Sequence, residues 1–109
     1  MIVTDDNIHD ALAYLAIDPH PVALARKEVT DAENHSKEVF ARAFLAASGA
    51  VDTRKATATA SKECVAATAD ESQAIFELER HKARSKAAEM LISVWQSENA
   101  NARAAERVR

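Results

Sequence analysis

The stretch Phe44-Leu45-Ala46-Ala47-Ser48-Gly49-Ala50-Val51 holds the only glycine of the chain, among 25 alanines and ahead of sixty residues that contain neither glycine nor proline. Alanine is the best helix former and glycine the commonest helix stop, so Gly49 reads as the mark between two long helices. The helix before it starts at Pro21, a residue suited to a first helical turn, and closes at Ser48-Gly49 after roughly 28 residues, ~42 Å. Its stripe is Val22, Val29, Ser36, Phe40, Ala43, Phe44 and Ala47, made partly polar by Ser36 and flanked by Arg26 and Glu33.

Upstream, Thr4 or Asp5 caps a short helix with Ile8, Leu12 and Leu15 at i, i+4, i+7. Asp18-Pro19-His20-Pro21 ends it, because each proline disfavours helix in the residue before it. Downstream, residues 50–61 (AVDTRKATATAS) form an Ala/Thr-rich connection in which Asp52 or Thr53 caps a short turn. Ser61 caps a third helix over about 62–100, ~57 Å to Asn99 if unbroken. Its expected seam is Val65, Ala69, Ser72, Phe76, Ala83, Ala87, Met90 and Val94, with Leu91 at the edge and Trp95 further round.

The expected fold is therefore all-α: a single domain over 1–109 with helices at about 5–17, 21–48 and 62–100, the last two forming a long antiparallel, coiled-coil-like hairpin. Such a hairpin is longer than the ~35 Å of a compact chain of this size, and it leaves apolar residues wet. Exposed apolar stripes on long helices are interfaces, so the sequence predicts an oligomer, with Phe40, Phe44, Phe76, Met90, Leu91, Val94 and Trp95 as interface residues.

The composition excludes several classes. One cysteine, Cys64, rules out an internal disulfide and suits a reducing cytoplasm. No apolar run approaches the ~20 residues of a membrane span, and the acidic start MIVTDD does not suit a signal peptide, so a cytoplasmic protein of the host cell is expected. There is no glycine-rich phosphate loop, G-x-S-x-G, C-x-x-C or H-E-x-x-H. Glu77 and His81 stand at i, i+4, but a metal bundle needs such pairs on several helices. No enzyme activity, cofactor or metal is expected.

Charge is segregated beneath a net −3: residues 1–40 carry eight acids and three bases, residues 80–109 seven bases and three acids. The sharpest local feature is Arg80-His81-Lys82-Ala83-Arg84-Ser85-Lys86. On a helix Arg80 and Arg84 flank one side of the Phe76/Ala83/Ala87 stripe, and Lys82 and Lys86 flank the other. Such side chains can pair across an interface, with Glu28, Asp31, Glu33 or Glu38 as partners, or contact phosphates. In the second reading Arg80, Lys82, Arg84, Lys86, Arg103 and Arg107 are nucleic-acid-binding residues, with Arg109 beyond them.

Two stretches resemble a family of small tailed-phage helical proteins. Residues 44–51, then Arg54 and Ala56 to Ser61, resemble its FLxASGTVAEREAxAxAS, and residues 88–101 (AEMLISVWQSENAN) resemble its AExxIEVWRSxNAN, with Arg84 at a basic position upstream and Ala13-Tyr14-Leu15-Ala16 also matching. Three departures stand out: Gln96 replaces an arginine, Asp52-Thr53 replaces Ala-Glu, and Lys55 replaces an acid. The layout is also similar to that of the phage UvsY recombination mediator. The resemblance implies a non-enzymatic oligomeric accessory factor of phage DNA recombination or replication, with a recombinase, a single-strand annealing protein or single-stranded DNA as partner and no membrane. The alternative is a protein-interaction module that inhibits a host enzyme or defence complex through its acidic N-terminal half.

Overall fold

A computed structural model describes residues 2–108. The fold is all-α, a short N-terminal helix followed by a long helical hairpin: α1 (Asp5–Leu15), α2 (Pro21–Ala46), α3 (Val51–Ala60) and α4 (Lys62–Val108), with no strand among the described residues. Its packing divides into two compact units. The first unit comprises Met1–Val22 with Arg80–Arg109, the second Ala23–Glu79.

In the first unit, α1 opens with a capping box. Thr4 Oγ1 accepts from the Asn7 amide at 3.2 Å, while Asn7 Oδ1 accepts from the Thr4 amide at 3.3 Å. Val3 and Ile8, at the two positions of a hydrophobic staple, are both buried. The Ile2 amide donates to Glu98 Oε1 at 3.0 Å, tying the start of the chain to α4. Ala11, Tyr14 and Ala88 form the core, with Leu15 and Ile92 packed against it. The expected stripe through Leu12 is corrected here, since Leu12 is 53% exposed. Small Ala11 lets the helices approach, and Tyr14 beside it supplies the bulk.

The second unit is built from small residues. Its buried positions are Ala25, Ala58, Cys64 and Ala67. On α2 the inward series Ala25, Val29, Ala32, Ser36, Val39, Ala43 alternates steps of four and three. On α4 Cys64, Ala67, Glu71, Ala74, Leu78 alternates steps of three and four. This is the period at which two helices keep one seam in register, and alanine at alternate positions allows close approach. Phe40, placed in the seam by the sequence, sits at its exposed margin, and Val39 takes the inner place.

The largest correction concerns α4. Val65, Phe76 and Met90, expected in the seam, are 58%, 60% and 59% exposed, and Ala69, Ser72, Ala83, Ala87 and Val94 are exposed with them. The buried series lies on the other side of the helix. Bulky residues marked the wrong face because small ones pack the helices more closely.

The boundaries moved for identifiable reasons. Helix α2 stops at Ala46 rather than Ser48: the Ala47 amide bonds back to the carbonyls of Ala43 and Phe44, and Gly49 then turns the chain with φ 110°. The Ala/Thr-rich connection is a ten-residue helix, α3, rather than a single turn. Its first hydrogen bond, Arg54 amide to Ala50 carbonyl at 2.9 Å, forms without a side-chain cap. Ser61 links α3 to α4 by donating to the Ala58 carbonyl at 2.7 Å and accepting from the Cys64 amide at 3.3 Å. Helix α4 then continues past Asn99 to Val108.

Gly49→Ala tests the turn. An added Cβ meets only the Thr53 side chain, Cγ2 at 3.4 Å and Cβ at 3.5 Å, so the cost is backbone strain at positive φ rather than collision. A loss of about 1–2 kcal/mol in denaturant unfolding with unchanged helix content is expected.

Candidate functional site

Three features carry the polar and exposed apolar chemistry of the molecule, and the first is centred on Tyr14. Tyr14 is buried in the first unit, and its hydroxyl donates to the His81 carbonyl at 3.2 Å. The Arg84 guanidinium lies over its ring, 4.2 Å from the centroid, and His20 meets the ring edge-on at 5.1 Å. His20 Nδ1 also accepts from the Val22 amide at 3.1 Å, so one histidine serves both the aromatic contact and the entry of α2. Arg84, expected to reach for phosphate, is thus held against an aromatic face while its residue remains exposed.

Arg54 is the centre of the second feature, at the α2–α3 turn. Its guanidinium lies 4.3 Å from the Phe44 ring centroid and donates to the Phe44 carbonyl at 3.2 Å. Phe44 in turn stacks on Phe40 with centroids 6.3 Å apart. The arginine therefore closes the last turn of α2 twice, by charge over the ring and by a bond to the Phe44 carbonyl, which also accepts from the Ala47 amide. Sequence reading missed this role. The available signal was a cation ten residues beyond a phenylalanine at a helix end. Arg54→Met keeps the stem but removes donor and charge, and we expect a loss of about 1–2 kcal/mol in thermal or denaturant unfolding. Arg54→Lys should recover less than half, because an ammonium does not stack flat on a ring.

The third feature is the outer face of α4. In the second unit Val65 and Phe76 are exposed there, and in the first Met90 and Val94; Ile75 and Leu91 are exposed further round the helix, Leu91 beside a hollow that it lines with Asn7 and Asp10 of α1. Arg80, Lys82, Arg84 and Lys86 are all exposed on the same helix, and Arg103 and Arg107 follow in its last turns. Lys86, Arg103 and Arg107 make no ion pair among the described residues, whereas Arg80 and Lys82 are engaged. Trp95 is half-buried on the inner side. With Gln96, Asn99, Ala102, Arg103 and Glu106 it lines an open hollow of about 540 Å³.

Comparison of the chain with protein-family models, with curated proteins and with solved structures finds no match.

Two of the acids named as partners for the basic stretch have a cation one turn away on α2. Asp31 pairs with Lys27 at 2.7 Å and Glu38 with Arg42 at 3.1 Å, each one turn away on α2 itself. The hydrogen bond that Lys27 donates to the Asp31 carboxylate, and then the charge of that carboxylate, raise the Lys27 ammonium above the ordinary lysine value. The folded-state pKa is raised, so the pair's contribution is complete at neutral pH and is lost only as pH rises through that alkaline value. Both pairs are exposed and screened, and they serve as helix-surface support. No group of three or more His, Cys, Asp or Glu converges on a metal-sized site among the described residues. Among them, no helix is long and apolar enough to cross a membrane.

Proposed function

We propose that this protein is a non-enzymatic accessory factor of phage DNA recombination or replication. It works by binding, as an oligomer, a recombinase, a single-strand annealing protein or single-stranded DNA. The observation that carries the reading is apolar surface left open on α4, Phe76 in the second unit and Met90 and Val94 in the first, the latter pair on the part of the helix that carries Arg80, Lys82, Arg84 and Lys86. A helix already packed on one side that keeps bulky apolar residues on the other is made for a second contact. The likeness of residues 44–61 and 88–101 to the small tailed-phage proteins supplies the setting.

Protein contact is the stronger arm. Arg84 is occupied by Tyr14, so phosphate contact falls mainly to Lys86, Arg103 and Arg107. Three cations on one chain bind DNA weakly and with strong salt dependence unless several copies act together.

The test is a binding titration of the full chain against a fluorescent oligothymidylate and against a phage recombinase and a phage single-strand annealing protein, at moderate salt. Micromolar or tighter binding to any of them supports the proposal, and no binding to all three overturns it. Salt-insensitive capture of a host enzyme, with none of those partners bound, moves the protein to the host-inhibitor reading.

A further inference from the structure

We propose that His20 is a pH-sensitive latch, a neutral imidazole that holds the start of α2 beside Tyr14 and lets go when it takes up a proton.

The corner requires one form of the ring. Pro21 opens α2 and has no N–H, so the Val22 amide is the first donor of that helix. This amide has no partner within its own helix, and it donates instead to His20 Nδ1 at 3.1 Å. A ring nitrogen that accepts carries no proton, so His20 is the neutral tautomer with its hydrogen on Nε2. The same ring meets Tyr14 at a centroid distance of 5.1 Å. One side chain therefore joins α1, the connection over residues 16–20 and the entry of α2 at Pro21 and Val22, all inside the first unit.

Protonation ends this role. An imidazolium has two N–H donors and no acceptor, so its Nδ1–H would point at the Val22 N–H. The new charge would also stand at the N-terminus of α2, where the helix dipole disfavours a cation. Nothing around the ring offsets these costs. From α4, the Arg84 guanidinium lies on the same Tyr14 ring, 4.2 Å from its centroid, and brings a second cation to the cluster. Tyr14 of α1 has its hydroxyl committed to the backbone carbonyl of His81 on α4, at 3.2 Å. Asp18 is the nearest acid in the connection, and no carboxylate pairs with His20 among the described residues. The fold thus binds the proton-free ring, and acid opposes it. The latch is closed while the ring is neutral and opens as pH falls through its protonation.

The experiment is nuclear magnetic resonance of the full chain, labelled with nitrogen-15, from about pH 8 to about pH 5, the span in which histidine side chains change charge. At the alkaline end the ring nitrogen shifts are expected to place the His20 proton on Nε2. On acidification the Val22 amide and Tyr14 ring signals should move together with the His20 ring. The exchange protection factor of Val22 should fall about fivefold, the effect of losing one helix cap. His20→Asn keeps a side-chain acceptor before Pro21 but takes up no proton. Circular dichroism checks its helix content, and Val22 protection should then be level across the same span. His9, His35 and His81 remain in that variant to report any acid response of their own. A proton on His20 Nδ1 at the alkaline end overturns the latch, as does a Val22 amide that ignores the His20 titration. Both readings come from the unaltered chain and decide the matter if His20→Asn does not fold. A wild-type acid response at Val22 in folded His20→Asn overturns it too. Failure of the latch leaves the accessory-factor reading untouched.

Discussion

Tyr14→Ala is expected to release α1 from its place in the first unit, with a local stability loss of ~3–5 kcal/mol, the range for removing a large aromatic from a packed site. Tyr14 has the largest side chain among the buried residues of that unit, and its neighbours Ala11 and Ala88 are too small to fill the space. Three further contacts go with the ring: the bond to the His81 carbonyl, the Arg84 guanidinium and the His20 edge. Hydrogen exchange reads the result, through loss of amide protection over residues 8–15. Graded variants separate the contributions. Tyr14→Phe removes only the hydroxyl and should cost about 1 kcal/mol. Arg84→Ala removes an exposed cation from the ring and should cost about 0.5–1 kcal/mol. Wild-type protection in Tyr14→Ala would mean that α1 is not held through this ring.

The same cluster shows which parts of the molecule could be read from the chain. Helix starts were legible because their chemistry is local: Thr4 offers a hydroxyl to an amide three residues on, Pro21 brings a fixed φ, and Ser61 caps the helix that follows it. The α2 stripe was nearly legible, because Val29, Ser36 and Ala43 keep one face whatever lies opposite. The burial of α4 was not. That helix carries two stripes, and transfer free energy ranks Phe76 and Met90 far above Cys64, Ala67 and Ala74. The seam followed backbone approach instead. An alanine contributes little by its own burial, yet it permits the closest spacing of two helices and the dispersion contacts that come with it.

Arg54 and Arg84 were hidden for a different reason. Both look like solvated cations in the sequence, and their aromatic partners lie ten and seventy residues away. Pairings between such distant residues exist only once the helices have met. Helix α3 was underestimated on composition. Thr53, Thr57 and Thr59 suggested a turn, but Thr57 returns its hydroxyl to the Thr53 carbonyl at 2.9 Å, and the alanines between carry the helix.

If alanine holds the second unit together, Ala58→Leu should be the most damaging single addition of carbon to it. Ala58 has no exposed surface at all, and every other buried residue of the unit is alanine or cysteine. Three extra carbons there must push α3 outward or force strained rotamers, at about 1–3 kcal/mol or more. The change leaves helix propensity almost untouched, since leucine ranks just below alanine, so the loss reports packing alone. The control is Ala56→Leu on the same helix, where the side chain is exposed and the expected change is within about 0.5 kcal/mol. Denaturant midpoints for the pair decide the matter. A bulky residue tolerated equally at both positions would mean that α3 does not pack through Ala58. A loss confined to Ala58→Leu would establish that this unit is held by how closely its helices approach, which explains why its largest apolar side chains were left for the outside.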